Sequence, residues 1–323
     1  MSRWLPRIIG VLLMATALAV ALSRAPDRPV QTLVARWAPA PSDFIDLHGQ
    51  LVHYRDEGPR NDAVPLVLVH GTSASLHTWQ GWVAAIKPQR RVISFDLPAF
   101  GLTGPFAGRY AQQSYRGDTY ARFVLDLLDA LKVQRFSIGG NSLGGEVAWR
   151  VASLAAERVD RLVLVDAAGY PFQPQSVPIG FMVARVPGLN RLTEWLLPRA
   201  MVEASVHSVY GDPAKVTPGL VDRYFELTLR EGNRRALAQR LRAQELDAQS
   251  FEANVARIRA LKLPTLVIWG GRDRLIPPDI ARRFAADIAG SQLSIFDALG
   301  HVPQEEDATA TVAVVQAFLD EKR

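Results

Sequence analysis

A chain of 323 residues, 48% hydrophobic and free of low-complexity stretches, has enough material for a large buried core in one enlarged domain or two. Its formal net charge of +5 comes mostly from scattered arginine rather than a dense basic run, which argues against a nucleic-acid partner. Cysteine is absent, which excludes disulfides, thiolate catalysis and cysteine-bound metals.

The first thirty residues differ from the rest. Arg3 and Arg7 precede an uncharged apolar run from Ile8 to Leu22, after which residues 23–29 are polar. A basic start followed by an apolar run is the pattern of an export signal. Cleavage after Ser23 is one reading, although Arg24 makes a poor site. An uncleaved membrane anchor is the preferred one, with Arg3 and Arg7 on the cytoplasmic side and the remainder facing the periplasm or exterior. Residues 31–43 read as a linker.

From residue 44 the chain alternates between strand and helix patterns. Residues 44–48 and 51–55 alternate apolar with polar around Gly49-Gln50, a hairpin signal that turns His48 and His53 toward solvent. Pro65–Val69 is a continuous apolar run, as expected of a strand buried on both faces of a parallel sheet, and Arg91–Phe95, Phe136–Ile138, Arg161–Val165, Pro264–Trp269 and Gln292–Phe296 read as the further strands. Amphipathic stretches separate them, including Leu76–Ile86, Tyr115–Lys132 and a closing helix over Glu305–Leu319. Between residues 170 and 259 the strands stop. Helical patterns such as Gly188–Leu197, Pro218–Glu231 and Asn233–Gln244 take over, and an all-helical insertion at this point reads as a lid over the sheet's carboxyl edge. His207 and Tyr210 fall inside it and read as packing or surface residues.

Chemistry concentrates at the strand ends. Gly140-Asn141-Ser142-Leu143-Gly144 places a serine between glycines, where a strand turns sharply into a helix and side chains on the neighbours would obstruct the turn. The serine hydroxyl is then exposed, and the Leu143 amide at the helix start can meet a developing negative charge. His70-Gly71-Thr72-Ser73 follows an earlier strand and can supply a second amide, with His70 read as a loop-fixing residue. Asp273 and His301 each lie just beyond another strand. A serine needs a base, and the base needs a carboxylate to hold its tautomer, so Ser142, His301 and Asp273 form one constellation if those strand ends share an edge. Asp166 is a rival carboxylate at the end of the strand before the lid. Asp96 and Asp297 read as loop-bonding residues.

Together these segments, from about residue 44 to 320, resemble an α/β-hydrolase-fold enzyme with a helical cap. The matching pieces are His70-Gly71, Asp96 to Gly101, Gly140 to Gly145, Gly271-Arg272-Asp273 and Gly300-His301-Val302-Pro303. The resemblance implies an α/β fold with a mostly parallel central sheet, a core of residues 44–169 and 260–323, and a cap of 170–259. It also implies Ser142 as nucleophile, His301 as base, Asp273 as acid, and the amides of Leu143 and Thr72 (or Ser73) as oxyanion hole, with no cofactor and no metal. An aspartate nucleophile, as in haloalkane dehalogenases and epoxide hydrolases, is disfavoured by Ser142, and Ala99 departs from the glycine commoner at its position. The expected activity is cleavage of an ester-type bond in a small, largely apolar substrate through an acyl-enzyme. Carbon–carbon cleavage of the meta-cleavage-product type, haloperoxidase-like activity and a non-catalytic binding protein are the alternatives. Oligomeric state is not legible.

Overall fold

Eight strands build one sheet in the computed structural model, which describes residues 4–186, 188, 192–248 and 250–321. They are β1 (Ser42–Leu47), β2 (Gln50–Glu57), β3 (Leu66–Val69), β4 (Val92–Phe95), β5 (Phe136–Asn141), β6 (Val159–Val165), β7 (Thr265–Gly270) and β8 (Gln292–Phe296). Their order across the sheet is β1-β2-β4-β3-β5-β6-β7-β8. The β1–β2 hairpin and the β2–β4 pair are antiparallel, and every other pair is parallel. The register pairs Val69 with Gly140, Asn141 with Val165, and Gly270 with Phe296. The carboxyl ends of β3, β5, β6, β7 and β8 therefore gather along one edge, where open α/β sheets bind ligands.

Alternation within the buried strands divides the core between two faces. Leu66, Leu68, Val163, Leu266 and Ile268 pack against α3 (Gln80–Ile86) and the C-terminal helix. Val67, Val69, Ile138, Leu164 and Val267 meet α4 (Gly117–Ala130) and α5 (Leu143–Leu154) on the other side. On α4 the apolar stripe Tyr120, Phe123, Val124, Leu127 and Leu128 is wholly buried, and burying each such side chain is worth about 1.5–3 kcal/mol.

The cap is helical, as its sequence pattern implies. It comprises α6 (Ile179–Arg185), α7 (Arg199–His207), α8 (Pro218–Thr228), α9 (Asn233–Ala248) and α10 (Phe251–Arg259). Thr217 starts α8 by accepting the Leu220 amide on its hydroxyl, with Pro218 at the first helical position. The helix expected over residues 188–197 falls partly outside the described residues. After the cap, α11 (Asp279–Asp287) joins β7 to β8. The closing helix is broken in two, α12 (Pro303–Glu306) and α13 (Ala308–Asp320). Asp307 leaves the helical region between them and caps the Ala310 amide.

The N-terminal region departs from expectation twice. The apolar run does form a helix, α1 (Leu5–Ser23), with Ile9, Leu13, Leu18 and other apolar side chains exposed. Among the described residues, however, no helix is long and apolar enough to cross a membrane, so the expected spanning anchor is not found. Fifteen residues from Ile8 to Leu22 rise only about 22 Å as a helix, against a hydrocarbon core of about 30 Å. Second, residues 31–37 of the expected linker form a short helix, α2 (Gln31–Trp37), and the segment around it is stitched to the cap. The Ala25 amide bonds the Trp195 carbonyl, the Arg28 and Glu231 amides bond across between the two segments, and Asp27 pairs with Arg234. Leu33 is buried against Leu102 and Leu227.

Candidate active site

Ser142 sits at the turn from β5 into α5 with φ 56° and ψ −116°, a left-handed conformation that a side-chain-bearing residue adopts only under constraint. The constraint is packing of backbone on backbone. A Cβ on Gly144 would lie 2.0 Å from the Val69 carbonyl oxygen, and one on Gly140 would lie 2.1 Å from that of Gly144. Only glycine lets β3, β5 and α5 close on one another, and that closure pushes Ser142 out at the tip.

Asp273 and His301 meet as the sequence spacing implies. His301 Nδ1 donates to Asp273 Oδ2 at 2.7 Å, which leaves the other ring nitrogen for chemistry. Asp273 Oδ1 accepts the amides of Leu275 and Ile276 at 2.8 and 2.9 Å, so the carboxylate is fixed from both ends. The His301 loop is held in turn. Asn141 Nδ2 donates to the His301 carbonyl at 2.9 Å, and the His301 amide bonds the Val209 carbonyl of the cap. Glu306 takes the amides of Gly300, Gly211 and Asp212 on its two oxygens, tying the histidine loop to the chain that leaves α7. A Cβ on Gly300 would strike the Gly211 amide at 2.4 Å, so these two backbones touch directly. Asn141 and Glu306 were not singled out from the sequence; a polar residue beside the serine and an acid shortly after the histidine were the only signals.

Ser142 and His301 border one cavity of about 130 Å³ beneath the cap, together with Gly71, Thr72 and Asn141. Its far wall is apolar and comes from α6 and α7 (Phe181, Ala184, Met201, Val202) with Leu237 and Leu275. A smaller arm of about 70 Å³ opens from the same serine toward Leu143, Phe172, Arg185 and Gln244. Among the described residues the amides of Thr72 and Leu143 have no hydrogen-bond acceptor, and both residues border this arm. Arg234 reaches the main cavity, but its guanidinium is engaged by Asp27 and by the Thr193 carbonyl.

The remaining sequence candidates sort by burial. His70 is wholly buried. Its Nδ1 donates to the Gly71 carbonyl and its Nε2 accepts the Leu97 amide, which fixes the loop carrying Thr72, and burial lowers its pKa so that it stays neutral. His48 is exposed in the hairpin turn as expected. His53 is not: it is fully buried and bonds Asp96 at 2.7 Å, because residues 76 and 96–103 close over a hairpin face that alternation alone would leave to water. His77 bonds Ser75 and the Trp37 carbonyl outside the cavity. Burial, acting against Asp96 and with Arg223 and Arg55 nearby, holds it at about 3. Neither His207 nor Tyr210 borders the cavity; Tyr210 is buried against Glu305. Asp166 is buried beside Asp273 and His301, with one atom of each group within 4.8 Å of the others. Ala99 takes φ 85°, where glycine would be unstrained.

With strand order, serine turn and Asp–His pair in place, the comparisons with known proteins agree. The chain matches the profile of the alpha/beta hydrolase fold family over residues 64–308 and belongs to that family. It is 30% identical to a 2-hydroxymuconate semialdehyde hydrolase of Pseudomonas sp. (strain CF600) over 261 residues, 80% of this chain and 87% of that protein. A meta-cleavage product hydrolase from Pseudomonas fluorescens IP01 superposes with a TM-score of 0.70 at 25% identity, covering 86% of this chain and 97% of the other. A bacterial membrane phospholipase A, at 23% identity and a TM-score of 0.67, shares the fold over 99% of this chain and 98% of its own. The protein is thus a hydrolase of the α/β fold.

Proposed function

We propose that this hydrolase cleaves an ester-type bond whose acyl part is largely apolar, through a covalent acyl-enzyme on Ser142. His301 removes the serine proton as the hydroxyl oxygen attacks the carbonyl carbon, and Asp273 holds the imidazole and stabilises its charged form. The Thr72 and Leu143 amides receive the oxyanion, each worth roughly 3 kcal/mol of barrier lowering. His301 returns the proton to the leaving alcohol, and a water deprotonated by the same ring releases the acid. The observation that carries this reading is the pairing of Asp273 with His301 at the wall of a cavity that also holds Ser142 at its strained turn.

The apolar lining and the neutralised Arg234 favour an uncharged acyl chain over an anionic one, since a carboxylate here would have to displace Asp27. Kinetics on a ladder of p-nitrophenyl esters tests this. kcat/KM is expected to rise up to about fourfold per added methylene until the cavity is filled. A flat ladder, or a preference for acyl groups ending in carboxylate, would sink the apolar-acyl reading. Carbon–carbon bond hydrolysis is the second reading, favoured by the two relatives named for such substrates and by Arg185 in the smaller arm. Higher kcat/KM on a ring-cleavage dienoate than on any ester would select it.

A further inference from the structure

Asp166 ends β6 in a strained position, φ 43°, and is completely buried. Its Oδ1 accepts the Gly270 amide at 3.0 Å, while Oδ2 is buried and, among the described residues, meets no hydrogen-bond donor. An ionised carboxylate with a bare, buried oxygen is an expensive arrangement. The groups that face it are Asp273 from the end of β7, Glu306 from α12 and His301 from the loop after β8. Two of the three are acids, which disfavour a second negative charge, and the Gly270 amide is the bonded donor that opposes them.

The pair is asymmetric. Asp273 receives three N–H donors, two from backbone and one from His301, whereas Asp166 receives one. Donors stabilise the charged form, so of these two neighbouring buried carboxyls Asp166 is the one placed to keep the proton. The bare Oδ2 is then explained, because an oxygen carrying hydrogen is a donor. We propose that Asp166 is held as the neutral acid and donates a hydrogen bond from Oδ2 to the Asp273 carboxylate, so that His301 works against a two-carboxyl unit bearing a single charge. Burial, then Asp273, push the Asp166 carboxyl well above the ordinary range, in the same direction. Asp166 is a positioning residue: it shares the charge of Asp273 and so tempers how strongly that carboxylate holds a proton on the imidazole.

The inference rests on the serine-hydrolase reading, and two measurements keep the two apart. Infrared difference spectra between wild type and Asp166→Asn at neutral pH should contain the carbonyl stretch of a protonated, buried carboxylic acid; its absence would overturn the proposal whatever the enzyme's activity. The second is the rate of fluorophosphonate labelling against pH, with Ser142→Ala as blank. Asparagine keeps both the acceptor for Gly270 and a neutral donor to Asp273, so the acid limb of Asp166→Asn should stay in place. If Asp166 were ionised, the limb would move down by about one pH unit. Asp166→Leu removes the donor and should move the limb up by about half to one unit. A folded leucine variant with an unmoved limb would reduce Asp166 to a structural residue. No labelling of wild type at any pH would count against the nucleophile reading, with the infrared result still deciding the proton.

Discussion

Two histidine–aspartate pairs in this molecule share one geometry, a 2.7 Å contact from Nδ1 to Oδ2 between buried side chains, yet only one faces a cavity. His53 also has a serine nearby, its Nε2 lying 3.0 Å from the Ser42 hydroxyl, while Ser142 and His301 share the wall of the cavity. What differs lies around the serine. Ser42 opens a regular edge strand, and its hydroxyl accepts a hydrogen bond from Arg55. Ser142 stands on a left-handed turn, and the amides of Thr72 and Leu143, which border the same arm of the cavity, have no acceptor among the described residues. Asp96 differs from Asp273 as well: its extra donors are the amides of Leu76 and Leu102, so it pins two loops. A histidine–aspartate pair with a serine at hand is therefore not enough to mark a candidate site; the strained turn at a cavity wall is what sets Ser142 apart. In the closed core the pair of His53 and Asp96 is a fastener.

Substitution can break that contrast, and the largest effect is expected at Ser142, the proposed nucleophile. Ser142→Ala is expected to lower kcat on an activated ester by about 10⁵-fold or more with the unfolding transition unmoved, whereas Ser42→Ala should leave kcat within about twofold. Comparable losses from both would erase the distinction. Asp273→Asn should cost about 10⁴-fold in kcat by releasing the wrong imidazole tautomer. Next comes His53→Ala, read in denaturant titrations. Stripping a buried partner from Asp96 should cost about 3–5 kcal/mol of stability while the kcat of the folded fraction is retained. An activity loss at full stability would place His53 in catalysis instead.

The smallest effect is one of pH. Burial pushes the Asp96 carboxyl upward, but its neighbours, first of all the bonded His53, outweigh burial and hold the group below the usual carboxylate range. A depressed carboxyl contributes stability that is present above its unfolded value, about 4, and is lost as pH falls through its folded value. The stability gap between wild type and Asp96→Asn should hold steady from about pH 5 to 8 and narrow only below about pH 4. A gap that widens with acid would mean the sign is wrong.

The same contrast explains what could be read from the chain. That Ser142, Asp273 and His301 gather at one sheet edge was legible because each follows a strand in a turn rich in glycine, and parallel strands align their carboxyl ends by construction. His53 was not, because alternation along a hairpin tells which face a residue occupies and nothing about which loop covers it. The residues around α2 failed for a related reason. Their partners Leu196, Arg230 and Arg234 lie far along the chain, and no local periodicity encodes so distant a contact. The weight of Asp166 was equally hidden: only its bare oxygen, visible once β6 and β7 were paired, gives it a part beyond that of a rival acid.

Those distant contacts bear on how the chain folds. Asp27 and Arg234 stand 207 residues apart, so the cap cannot be completed until the beginning of the chain returns to it. Pairings of such sequence separation carry the largest loop-closure cost and form after local ones. The central sheet can assemble with its lid still loose, and residues 24–28 then latch the lid as one of the last steps. Shortening the chain past residue 28 removes those contacts, and closing of the lid over the sheet is then expected to slow.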